Sequence, residues 1–192
     1  MTTAAEDMSQ DEILARLEDH VVGWLAWHTG WDKPQKPYLD PTALRDNPTN
    51  RDSAAKYFQK THDQAWEALG GYPGSDKHWL MLCLRCGWVG NMFNSHMRRD
   101  RRHKGCRPRE FTPTGRLHLR FQVITNRVNA DGGLGRLLVP ARDELEQAAA
   151  LEEAEPGGGQ QMPHLRAALK HVQEAHAYLG ERAELAPQQR AD

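Results

Sequence analysis

The stretch Leu82–Phe111, LCLRCGWVGNMFNSHMRRDRRHKGCRPREF, carries all three cysteines of the chain and two of its ten histidines. The run KHWLMLCLRC that leads into it is short and apolar, the pattern of a strand ending at Cys83-x2-Cys86. Two thiolates on such a tight turn are half of the tetrahedral N/S set that Zn2+ requires. Three cysteines are too few for a disulfide framework, so in a reducing compartment a C-x2-C pair reads as metal ligands before it reads as a bridge.

Candidates for the remaining ligands are His96, His103 and Cys106. The spacing predicts a helix from Asn91 to Lys104, ended by Gly105. On an unbroken helix His96 and His103 share a face but lie about 10.5 Å apart along the axis, too far for one ion. His103 and Cys106, three residues apart across the glycine, can converge. The expected set is therefore Cys83, Cys86, His103 and Cys106, with His96 as the substitute if the helix starts late or breaks near Asp100. A redox role for C-x2-C lacks the βαβ setting it needs, and a deaminase would need an upstream H-x-E that is absent.

Cys83-x2-Cys86-Gly87, a helix, His103 with sixteen residues between it and the second cysteine, and then HKGCRPR resemble the Cys2His2 zinc finger with its inter-finger linker. Gly87, His103, Gly105, Arg107 and Pro108 fall on that family's glycine, second histidine and linker positions. Arg99 stands where its first histidine belongs, Gly90 at its aromatic core position and His96 at its leucine. The resemblance covers about 30 residues and occurs once. It implies a degenerate single finger, with Cys106 repairing the missing histidine in a Cys2HisCys variant; a treble clef is another home for the same spacing. Either implies a structural, coordinatively closed zinc with no open position for catalysis.

On a helical wheel Val89, Met92, His96, Asp100 and His103 share one side, and Asn91, Asn94, Arg98, Arg101 and Arg102 the other. Asn and Arg make bidentate contacts to adenine and guanine in a major groove. In the finger register the base-reading positions fall on Asn91, Asn94, Ser95 and Arg98. Arg99, Arg101, Arg102, Lys104, Arg107, Arg109, Arg116 and Arg120 are then candidates for nucleic-acid contact, mainly to phosphate. Asp100 is a candidate to orient a ligand imidazole.

The 192 residues carry a net charge of −1, which conceals three blocks. Residues 1–77 hold 8 Lys/Arg against 13 Asp/Glu, residues 78–128 hold 11 against 2, and residues 129–192 hold 6 against 11. A basic segment between acidic ones concentrates polyanions whatever the total charge. The blocks suggest a helical scaffold (1–77), a basic zinc-finger module (78–128) and an acidic helical tail (129–192) with a flexible Gly/Pro linker at 155–163.

Ser9-x-x-Glu12 is a capping box, and Ile13, Leu17 and Val21 recur at helical spacing, predicting a helix over 10–27. A second helical pattern runs through Ala54, Phe58, Ala65 and Leu69 to Gly70, and the two helices suggest an N-terminal pair. RLHLRFQVI alternates apolar and polar residues and reads as an added strand; Pro140–Glu153 and His164–Ala186 read as helices. The expected fold is α+β and mostly helical: a helical pair, a ββα-like finger with an added strand, and C-terminal helices.

Trp24, Trp27 and Trp66 are expected in the core and Trp31 outside it. No run reaches the roughly 20 apolar residues of a membrane span and the N-terminus is acidic without an apolar signal core, so a cytoplasmic protein without membrane contact is expected. No triad, paired carboxylates or P-loop points to an enzyme. The expected function is zinc-stabilised nucleic-acid binding, duplex DNA favoured, by a regulator or a component of a mobile element or phage. The alternative is a non-enzymatic protein-interaction or inhibitor module with structural zinc, and the N- or C-terminal helices offer surfaces for a protein partner or homodimer.

Overall fold

Ser9 starts the first helix, α1 (Gln10–Asp19), through the predicted reciprocal cap. The Glu12 N–H donates to Ser9 Oγ, and the Ser9 N–H donates to Glu12 Oε2 at 2.8 Å. The computed structural model describes residues 5–21, 33–99, 102–129 and 134–185. The far end of the predicted first helix with Trp24 and Trp27, the residues Trp31, Asp100 and Arg101, the predicted turn at 130–133, and Ala186 lie outside them. The fold is α+β and mostly helical, with one three-stranded sheet among the described residues.

Two compact units divide the chain: residues 1–28 with 111–192, and residues 29–110. The boundaries expected from charge, at 77 and 128, do not coincide with these. Charge reports where cations cluster along the chain, whereas compactness follows burial; the cysteine-bearing hairpin shares its core with the helix before it. The two helices expected to form an N-terminal pair fall in different units.

The helical unit comprises α1, α4 (Pro113–Asn129), α5 (Leu134–Ala154) and α6 (Met162–Leu185). Helix α1 packs on α4 and α6, and α5 packs on both α4 and α6. The last helix is thus part of the unit's core, where Leu165, Leu169 and Val172 are buried with Ile13 and Leu17 of α1. The expected strand at 116–124 lies inside α4. Its buried residues Thr114, Leu117, Phe121, Ile124 and Thr125 follow helical spacing, and the apparent alternation arises because half-buried Leu119 and buried Val123 add apolar side chains between them. A cap signal precedes it: Thr112 Oγ1 accepts from the Gly115 N–H at 3.1 Å, and Pro113 occupies the first turn, where its missing N–H costs nothing.

Helix α5 begins six residues before Pro140, which therefore sits inside it instead of opening it. The segment expected as a flexible linker is a closed turn. The Gly158 N–H donates to Glu155 O at 3.1 Å, and buried Gln161 donates through Nε2 to Gln10 Oε1 at 2.9 Å. Burial holds His118 below its ordinary pKa of 6.5, with Glu146 opposing and Arg142 reinforcing the shift; burial and then the nearby His176 do the same to His20. A histidine kept neutral in the fold but free to protonate when unfolded subtracts stability as pH falls through 6.5. The unfolding midpoint should drop between pH about 7.5 and 5.5, and His118→Gln should flatten that slope in thermal melts.

The second unit starts with α2 (Pro48–Asp63), capped by Asn47, whose Oδ1 accepts from the Asn50 N–H at 2.9 Å. The predicted helix through Ala65 and Leu69 stops earlier because Ala65 adopts φ +54°, a left-handed turn that sends the chain into β1 (Trp66–Ala68). Non-glycine residues pay about 1–2 kcal/mol there, so Ala65→Gly should raise stability by about 1 kcal/mol in a denaturant melt. β1 pairs antiparallel with β2 (His78–Cys83), and β2 with β3 (Val89–Phe93) in the register His78↔Phe93 to Leu82↔Val89. One sheet face carries Trp66, Ala68, Trp79, Met81 and Met92, which form a core with Ala54 and Phe58 of α2. Trp79 is held edge-on by Phe58 at 5.0 Å and Tyr72 at 5.5 Å, and donates through Nε1 to Gly70 O at 2.8 Å.

The expected Asn91–Lys104 helix is largely replaced. Residues 89–93 are strand β3, and among the described residues of this stretch only α3 (Asn94–Arg98) is helical. The C-x2-C turn reverses the chain, so the residues directly after it satisfy their backbone groups by pairing with β2 before any helix can form.

Candidate metal centre

Two tight turns bring the ligands together. In the first, the Gly87 N–H donates to Cys83 O at 2.8 Å, and Gly87 takes φ +75°, which a residue with a Cβ rarely adopts. In the second, the Cys106 N–H donates to His103 O at 3.2 Å across Gly105. The Arg109 N–H donates to Arg85 O at 3.3 Å, tying the exit of the second turn to the first.

One atom from each of Cys83, Cys86, His103 and Cys106 lies within 4.8 Å of every other, a group that could hold a metal ion. Cys83 Sγ and Cys106 Sγ are 3.9 Å apart, and Cys86 Sγ is 3.1 Å from His103 Nε2. With metal–sulfur bonds of about 2.3 Å, the edge of a tetrahedron is about 3.8 Å, so the thiol pair needs almost no movement to clasp an ion. Cys83 is buried and the other three are half-buried. His96 is exposed, with its ring 5.9 Å from Phe93, and is not in the group.

The imidazole is positioned from several sides. Its Nδ1 lies 3.2 Å from Lys104 O, which as a carbonyl accepts the Nδ1 proton and leaves Nε2 as the ligand atom. Trp88 stacks on the ring at 4.4 Å and 11°, and Trp66 meets it edge-on at 5.9 Å. The Trp88 indole also explains Gly90: a Cβ there would come within 2.3 Å of it. The aromatic that the finger pattern places at position 90 thus enters from position 88. Sequence reading passed over Trp88, although its place directly after C-x2-C-G was a signal.

Burial pushes the Cys86 thiol up to about 11; the Trp88 N–H at its sulfur opposes this, and the Cys83 and Cys106 sulfurs add to it. Near neutral pH that thiol keeps its proton until a cation displaces it. Three thiolates around a divalent ion leave a net −1, and a cation stands one ring away: the Arg102 guanidinium lies 5.2 Å over Trp66 and donates through Nη2 to Gln64 O.

The expected nucleic-acid residues do not form one helical face. Asn94 is fully buried, donating through Nδ2 to Gly74 O at 2.7 Å, and is withdrawn as a base reader. Arg102 is half-buried and engaged with Trp66 and Gln64 as described. Arg116 and Arg120 lie on α4 in the helical unit, and Arg120 pairs with Glu18. Ser95 is half-buried, and Arg98 lies in α3. Asn91 is exposed on β3, and Arg85, Arg99, Lys104, Arg107 and Arg109 are exposed.

The arrangement defines a class: a helical unit interrupted in sequence by an α+β unit that carries a Cys3His cluster. Compared with protein-family models, curated proteins and solved structures, the chain matches none significantly. No helix among the described residues is long and apolar enough to cross a membrane.

Proposed function

We propose that the unit of residues 29–110 is a zinc-stabilised nucleic-acid-binding module without enzymatic activity of its own. The observation that carries the zinc assignment is the convergence of three thiols and one imidazole, the soft donor set of structural Zn2+. Four protein ligands fill a tetrahedron, which suits a structural role. Around the centre Arg85, Lys104, Arg107 and Arg109 are exposed, and residues 78–110 hold 8 Lys/Arg against 2 Asp/Glu. Cations held on ordered turns are suited to phosphate contacts.

The test is binding of labelled oligonucleotides at two salt concentrations. With four phosphate contacts, affinity should fall on the order of 100-fold between about 50 and 200 mM salt, and Arg107→Ala with Arg109→Ala should weaken every nucleic acid tested. Absence of binding at low salt, or indifference to salt, would overturn the reading. The exposed apolar residues Leu80, Val89 and Phe93 favour a second reading, a protein-interaction module on the same metal scaffold. A tight protein complex that survives loss of Arg107 and Arg109 would select it.

A further inference from the structure

We infer that the outward face of the β2–β3 hairpin is a stacking platform for unpaired bases, so that the ligand is a single-stranded nucleic acid. The inference rests on the proposed nucleic-acid function and specifies its mode.

The four large hydrophobic side chains exposed among the described residues are Leu80, Val89, Phe93 and Tyr178. Three of them share one face of one hairpin. The register sets His78 opposite Phe93, Leu80 opposite Asn91 and Leu82 opposite Val89. Alternation along each strand then directs His78, Leu80, Val89, Asn91 and Phe93 to the side away from the Trp66–Trp79 core, together with Leu82, which is buried, so the exposed stripe runs from His78 and Phe93 to Leu80 and Val89. Phe93 is 36% exposed. His78 contacts it at 3.9 Å and 67°, and His96 at 5.9 Å and 70°, so both imidazoles brace the ring at a steep angle without stacking flat on it. Asn91 supplies an amide, donor and acceptor, in the middle of an otherwise apolar stripe. From Val89 to Phe93 the strand rise gives about 13 Å, room for a base at Phe93 and a neighbour toward Val89.

Charge selects the occupant. The Cys83–Cys86 end of the stripe is flanked by exposed Arg85, whose turn is tied to that of Arg107 and Arg109, and the far end by exposed Lys77, which precedes His78. An apolar, aromatic strip with cations at both ends suits a strand that presents flat bases and phosphates together. A duplex hides its base faces within its own stack. The element expected to enter its major groove is one five-residue helix whose first asparagine is buried.

The test uses the full-length, zinc-loaded chain and fluorescence anisotropy with labelled oligodeoxythymidine and oligouridine of about 12 nucleotides and a duplex of equal length. Single strands should bind at least tenfold tighter than the duplex, and the two single strands together show whether the sugar is read. Phe93→Ala should weaken single-strand binding roughly 5- to 150-fold with duplex affinity and metal content unchanged. Phe93→Trp should restore binding, and its added indole fluorescence should be quenched by oligodeoxythymidine. Salt-sensitive binding that Phe93→Ala leaves within twofold, an unquenched Phe93→Trp, or a preference for duplex would overturn the platform and leave the nucleic-acid function standing. No binding of any oligonucleotide would overturn both. Should Phe93→Ala lose its metal, the Phe93→Trp quenching decides.

Discussion

Cys106→Ser should lower the metal bound per chain from one to near zero and unfold the 29–110 unit, whereas His96→Ala should leave both unchanged. Sequence spacing left these two residues as competing fourth ligands, and the structure separates them: Cys106 Sγ is 3.9 Å from Cys83 Sγ, while His96 is exposed beside Phe93. The effect is expected to be large because an ion on these four residues would fasten together two short loops. Beyond the metal, the Arg109–Arg85 backbone hydrogen bond and the rings around His103 join them. Metal binding of a structural zinc site counts as folding free energy, about 10–16 kcal/mol in isolated finger peptides. Here the Trp79–Phe58 core supplies part of the stability independently, so loss of several kcal/mol is expected. Metal analysis and circular dichroism of the two variants beside wild type check it.

Trp79→Ala should cost about 3–5 kcal/mol, the largest effect expected away from the metal. Its indole is 1% exposed, lies between Phe58 and Tyr72, and satisfies the Gly70 carbonyl. Truncation leaves a cavity in a core assembled from one helix and three short strands, and removes the donor on which that carbonyl depends. Chemical denaturation would show a lowered midpoint. Because Trp79 precedes Cys83 on the same strand, metal affinity should fall as well. A variant with wild-type stability would mean that the sheet and α2 do not share this core.

The Cys3His group was legible in the sequence because metal chemistry depends on residue type and short spacing, and both survive any error about the intervening structure. The two three-residue spacings, Cys83 to Cys86 and His103 to Cys106, point to this group with His96 as the alternative to Cys106, although the helix expected to connect them is mostly a strand and a five-residue helix. The capping box at Ser9 was legible for the same reason, being local. Surface assignments fared differently because they required the correct period. A helical wheel placed Asn91 and Asn94 together, yet one is exposed on β3 and the other fully buried in α3. The stripe of Leu80, Val89 and Phe93 depends on cross-strand register and emerges only once β3 pairs with β2. At 116–124 the period-2 pattern competed with helical spacing; Thr112-Pro113, a cap followed by a first-turn proline, pointed to the helix.

The central claim, that a single structural zinc on Cys83, Cys86, His103 and Cys106 holds the 29–110 unit together, is tested most directly by zinc-edge X-ray absorption on the purified full chain with its metal content measured in parallel. One zinc per chain with three sulfurs and one nitrogen at about 2.3 and 2.0 Å, and loss of that unit's cooperative unfolding when a chelator removes the ion, is the predicted result. A metal-free chain of equal stability, or a zinc bound by oxygen donors, would contradict it.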